Sequence, residues 1–105
     1  MTRVKFLSKD ESLSGFEIKG HSSRDCDDFE GKIVCSAVSS AAYMAANTIT
    51  EIIGDVCDIT VDDALMRVKV ITPNEKTIAV LKGLKLHLTE LSKQYSKRIK
   101  ITTEV

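Results

Sequence analysis

The chain is 105 residues long, the size of one domain, and 43% of it is hydrophobic and 29% charged. Fifteen Lys and Arg against fifteen Asp and Glu give a formal net charge of zero. This composition excludes a wholly disordered chain. It also makes nucleic acid an unfavoured partner, because a general nucleic-acid binder releases counterions from phosphate with a basic excess. The zero conceals segregation: residues 1–50 hold 6 basic and 7 acidic side chains, residues 51–75 hold 2 and 6, and residues 76–105 hold 7 and 2. The most apolar stretch, Ile33 to Ile53, is interrupted by Ser36, Ser39, Ser40, Asn47, Thr48, Thr50 and Glu51, so no membrane span is expected. The N-terminus enters strand-like alternation without an apolar signal core, and the expected location is the cytoplasm. Three cysteines, Cys26, Cys35 and Cys57, are an odd, low number that does not read as a disulfide framework.

Val4 and Phe6 alternate with Lys5 and predict a first strand over 2–8. The polar run Ser8 to Ser12 suits a hairpin connection, and Leu13, Phe16 and Ile18 predict a second strand over 13–19, with Phe16 and Ile18 on one face. Residues 20–32 read as a polar loop with 2 basic and 4 acidic side chains, long enough for functional use. Cys35, Val38, Ala42, Ala45, Ile49 and Ile52 recur at helical spacing and predict a helix over 33–53, ended by Gly54. Strands follow over 56–60 and 64–71, joined by a turn near Asp62-Asp63, with Met66, Val68 and Val70 on one face and Leu65, Arg67 and Lys69 on the other. After Pro73-Asn74 a second helix is predicted over 75–95 from Ile78, Leu81, Leu84, Leu88, Leu91 and Tyr95. Ile99 and Ile101 mark a last short strand. The expected fold class is α+β: one domain over 1–105, in β-β-α-β-β-α-β order, with two helices packed on a mixed sheet.

The chemistry-bearing residues sit around the polar loop. His21 follows Gly20 just past a strand, and Cys35 stands 14 residues later in the first turn of the predicted helix. A thiol there feels the positive end of the helix dipole and loses its proton more readily. A neighbouring imidazolium lowers its pKa further, which is the requirement of a Cys/His nucleophilic pair. Unpaired N–H groups of a first helical turn can also hold an oxyanion. Against this stands the plainer reading, a buried cysteine on an apolar helix stripe. On pattern alone that plainer reading is favoured.

Gly20-His21-Ser22, a loop, and then Ile33-Val34-Cys35-Ser36-Ala37-Val38-Ser39 resemble the ribosomal-processing cysteine protease family. The specific motif covers residues 20–39, and the element order is compatible along nearly the whole chain. The resemblance implies His21 and Cys35 as catalytic pair, with Gly20 and Ser39 supporting the site. It implies a protease that removes the N-terminal extension of large-subunit ribosomal protein number twenty-seven, with that precursor as substrate. It also points to a homodimer, which agrees with the apolar surface that 105 residues leave uncovered. Neither metal nor cofactor is expected. Three departures stand out: Lys32 occupies the position of the family's Asp, the loop is slightly longer than usual, and Ser36 replaces a common Ala. Asp27, Asp28 and Glu30 are the acids that can take over from the missing Asp, either to orient the histidine or to cap the helix.

Two other readings compete. A non-catalytic ribosome- or RNA-associated module would use Lys82, Lys85, Lys93, Lys97, Arg98 and Lys100, although a solvated helix face explains them as well. A metal or redox site would use His21, Cys26, Asp27, Asp28 and Cys35, but the spacing is not that of a zinc site. Cys26 reads as a loop thiol, Cys57 as core and His87 as surface.

Overall fold

The computed structural model describes residues 1–20 and 28–104. Its elements are β1 (Thr2–Lys9), β2 (Ser12–Lys19), α1 (Phe29–Asn47, continued by a π-helical segment Thr48–Ile53), β3 (Cys57–Asp62), β4 (Leu65–Val70), α2 (Glu75–Gln94) and β5 (Ile99–Glu104). This is the predicted order, and the class is α+β. The five strands form one sheet in the order β3-β4-β2-β1-β5. β1 and β5 run parallel and the other neighbours antiparallel, so the sheet is mixed.

The period-two pattern sorts the two faces. Val4, Phe6, Phe16, Ile18, Met66, Val68 and Val70 are buried in one cluster with Val34, Val38, Ala42, Ala45 and Ile49 of α1 and Leu81, Leu84 and Leu88 of α2. Both helices therefore cover the same face, while Arg3, Lys5, Arg67 and Lys69 alternate onto the other. The β1–β2 hairpin turns through Asp10 (φ 54) and Glu11 (φ 67). Two consecutive positive φ values give the turn whose twist matches its strands. Gly15 on β2 faces Lys69 of β4, and a Cβ there would collide with the Val68 carbonyl oxygen.

α1 begins four residues before the predicted start, because Asp28 caps it: its carboxylate accepts the Gly31 N–H at 2.5 Å. Its far end departs from the 3.6-residue period. The Gly54 N–H donates to the Ile49 carbonyl at 2.9 Å, a five-residue step, and Gly54 closes the element at φ 84. That widened turn rotates Ile52 out of the apolar stripe on which spacing places it, leaving it 80% exposed. By length and composition the whole Phe29–Ile53 element is long and apolar enough to cross a bilayer. Here its apolar stripe is instead spent on the sheet, as the shared cluster shows. α2 matches its prediction closely. Asn74 caps it, accepting from the N–H groups of Lys76 and Thr77, and Asp55 in turn accepts from Asn74 and from the Thr77 hydroxyl at 2.5 Å.

Candidate active site

One end of the sheet gathers the start of β1, the end of β2, the β3–β4 turn, the start of β5 and the N-terminus of α1. Hydrogen bonds define this meeting point. The Thr2 N–H donates to the Arg98 carbonyl (2.8 Å), and the Gly20 N–H donates to the Ala64 carbonyl (3.1 Å). The Arg98 guanidinium reaches across to α1, 2.8 Å from Asp28 and 3.4 Å from Glu30. Gly20, at the end of β2, has φ 74, a left-handed conformation that glycine adopts without strain. The acid missing at Lys32 is thus replaced in one of its two roles. Asp28 caps the helix, Glu30 shares its arginine, and Lys32 is an exposed residue of the first turn.

Asp28 therefore has a depressed pKa, held down first by the Gly31 N–H and then by Arg98. A carboxyl whose folded pKa lies below the ordinary 3.8 stabilises the fold above 3.8. Its contribution is lost as pH falls through the lower folded value. The Gly31 amide resonance should accordingly titrate with a midpoint below 3.8, and Arg98→Ala should move that midpoint upward. A midpoint at or above the ordinary value would refute the cap.

Cys35 is half-buried on α1, and Ser39 is half-buried one turn further along, on the same side of the helix. The expectation that Cys35 stands in the first helical turn is corrected. With Phe29 as the first residue, Cys35 is the seventh, well into the second turn. The intrahelical ladder already starts at the Lys32 N–H, which donates to the Asp28 carbonyl at 3.0 Å. The Cys35 N–H is consequently committed to the helix and does not face an oxyanion. The dipole also acts mainly within the first turn, so it does little for this thiol. A second correction concerns sulfur: Cys35 is disulfide-bonded, although the cysteine count gives no reason to expect a disulfide. Spacing along a chain does not reveal which sulfurs meet in space. Cys57 is the free thiol among the described residues. It is half-buried, and burial and then Asp55 push its pKa up. His21, Cys26 and Asp27 lie outside the described residues. His87 is exposed, as predicted.

Of the basic residues grouped in the sequence, Arg98 is engaged with α1, Lys82, Lys85 and Lys93 lie on α2, and Lys100 lies on β5. The sequence reading missed Arg98 as the partner of the α1 cap. No local signal marks it, since 70 residues separate it from Asp28.

A family model described as cysteine protease Prp matches residues 1–100. The chain belongs to this family. Prp membership makes it a cysteine protease. Several solved structures share the fold, three of them as follows. SMU.848 from Streptococcus mutans is 21% identical with a TM-score of 0.86, each chain being 99% covered. The ribosomal processing protease Prp from S. aureus in complex with a substrate peptide is 18% identical, with a TM-score of 0.89 over 99% of this chain and 100% of that one. The same S. aureus protease with a covalently linked product peptide is 20% identical, with a TM-score of 0.83 over 99% and 100%. No curated protein matches the chain.

Proposed function

We propose that this Prp-family protease removes the N-terminal extension of a large-subunit ribosomal protein, number twenty-seven, in the cytoplasm during ribosome maturation. The family match over residues 1–100 is the observation that carries the reading. The structural relative whose name includes ribosomal processing supports it. In the reaction, the reduced Cys35 thiolate attacks the scissile carbonyl carbon and forms the acyl-enzyme as the amine leaves. His21 takes the thiol proton and delivers it to that amine, and water then releases the acid and regenerates the thiol. Neither the helix dipole nor the Cys35 N–H acts strongly where Cys35 sits in α1, so thiolate formation rests on His21. Gly20 sets the direction in which the chain leaves β2 toward His21, and Ser39 lines the same side of α1 as Cys35.

The test is direct. Incubating the chain with the precursor, before and after treatment with a thiol reductant, should give a product with a new N-terminus only after reduction, because a disulfide-bonded Cys35 has no thiolate to offer. Processing at equal rate without reductant would contradict the disulfide at Cys35, and no processing in either state would remove this substrate.

The dimer is proposed on the α1–α2 surface. An open groove of about 700 Å³ between the helices is lined by Ala37, Ala41, Met44, Val80, Gly83 and Leu84. Met44 in that groove is 62% exposed. A second copy bringing the same apolar surface satisfies the self-complementarity of a two-fold interface. Sedimentation at micromolar concentration should show a dimer that Met44→Glu splits into monomers. A wild-type monomer would refute it.

A further inference from the structure

The sheet face not covered by helices carries a cluster of cations that the protease reading does not use. Strand register places Lys100, Arg3 and Lys19 side by side across β5, β1 and β2, and the row continues through Leu65 of β4 to Asp62 of β3. The next row reads Thr102, Lys5, Glu17 and Arg67 across β5, β1, β2 and β4. Neighbouring strands lie about 4.8 Å apart, so the first row spans about 10 Å of positive charge. Lys100, Arg3, Lys5, Lys19, Glu17 and Thr102 also line a shallow cleft of about 270 Å³.

The fold has no use for this arrangement. Like charges directly opposite on neighbouring strands are destabilising. The one carboxylate among them, Glu17, is already held by Lys19 at 3.3 Å and Arg67 at 3.6 Å. Among the described residues, Arg3, Lys5 and Lys100 have no carboxylate within salt-bridge distance. Three further carboxylates lie toward the margins of the face: Asp62, Glu104 and Asp58, paired in register with Leu65, Leu7 and Lys69.

We propose that this face is a docking surface for the phosphate backbone of RNA, with Lys100, Arg3, Lys5 and Lys19 as the phosphate contacts. Charge complementarity selects the occupant. No exposed apolar side chain interrupts the two cationic rows, as insertion into a membrane would require. Half-buried Leu65 is the one aliphatic side chain in the rows, and no aromatic stands beside it to form the anchor cluster on which protein interfaces rest. With no ring to stack a base, recognition is of backbone charge, independent of sequence and steeply salt-dependent. The overall charge balance does not oppose this, because the two rows gather the cations Lys100, Arg3, Lys19, Lys5 and Arg67 against the carboxylates Glu17 and Asp62. The inference stands apart from the peptidase reading and survives if that reading fails.

The test measures binding of the full, reduced chain to a short fluorescent single-stranded RNA by anisotropy, from about 50 to 200 mM salt. Four phosphate contacts give a log–log salt slope of about −3 for a single strand. The triple variant Arg3→Gln, Lys5→Gln, Lys100→Gln should bind about tenfold or more weakly at the low-salt end, with a slope shallower by about 2. It should melt no lower than wild type, since it removes like-charge neighbours, and should cleave peptide at the wild-type rate. The single variant Lys100→Gln, at an exposed edge-strand position, should lose about 0.7 of the slope. Lys82→Gln, Lys85→Gln, Lys93→Gln on α2, equal in charge removed, should change binding little. Absence of saturable binding at low salt, an equal loss in the α2 variant, or binding to phosphatidylserine vesicles in place of RNA would each overturn the proposal.

Discussion

Replacing Cys35 by alanine is expected to lower the rate of precursor cleavage by about four orders of magnitude or more, because the covalent route disappears with its sulfur. His21→Ala is expected to lower it by about two to four orders, the usual worth of a general acid–base. The double variant should be little worse than Cys35→Ala alone, since residues acting as one unit do not contribute additively. Steady-state cleavage of a peptide spanning the extension, under reducing conditions, reads all three. The structure sharpens the His21 prediction. Cys35 is the seventh residue of α1. A first-turn cysteine would keep part of its thiolate character through the dipole when the histidine is lost, but this one has little such reserve. Cleavage by Cys35→Ala at the wild-type rate would end the assignment.

The second large effect is structural. Gly15→Ala is expected to destabilise the fold by about 3 kcal/mol or more, since the added methyl meets backbone rather than a side chain that can turn away. The Val68 carbonyl oxygen stands in its path, and the Lys69 Cα and Val68 carbonyl carbon are 3.0 and 3.1 Å from the Cβ position. All belong to β4, the interior strand that joins β2 to β3. For a domain of this size that loss lowers the melting temperature by about 10–20 °C. Gly83→Ala should move the opposite way. It is a mid-helix glycine on α2 with nothing within 4 Å of its Cβ position, so alanine removes an entropic cost of about 1 kcal/mol. Thermal melts of the two variants beside wild type check both signs. Equal behaviour would contradict the close β2–β4 approach.

The fold was largely legible from periodicity because the sheet has one buried face. Phe16 and Ile18, and Met66, Val68 and Val70, alternate cleanly and are buried as a set. The errors fell where local geometry departs from an ideal period. Ile52 was misplaced because a π-helical turn follows Asn47. The start of α1 was placed four residues late because the capping Asp28 sits inside a run of polar residues that reads as loop. At the site, Gly20, Cys35 and Ser39 were legible as a motif and not as geometry. The role of Arg98 and the cationic rows were not legible, because each depends on residues that only the tertiary fold brings together.

The central claim is that Cys35 is a nucleophile activated by His21. Its most direct test is the rate of Cys35 alkylation by iodoacetamide against pH, in fully reduced protein, read on the Cys35 peptide by mass spectrometry, wild type beside His21→Ala. Cys57 is the internal reference, its thiol held protonated at neutral pH by burial and by Asp55. The account predicts a Cys35 midpoint well below the ordinary thiol value of about 8.5, rising toward it in His21→Ala, while Cys57 reacts only at higher pH. A Cys35 midpoint at or above the ordinary value, unmoved by His21→Ala, would contradict it.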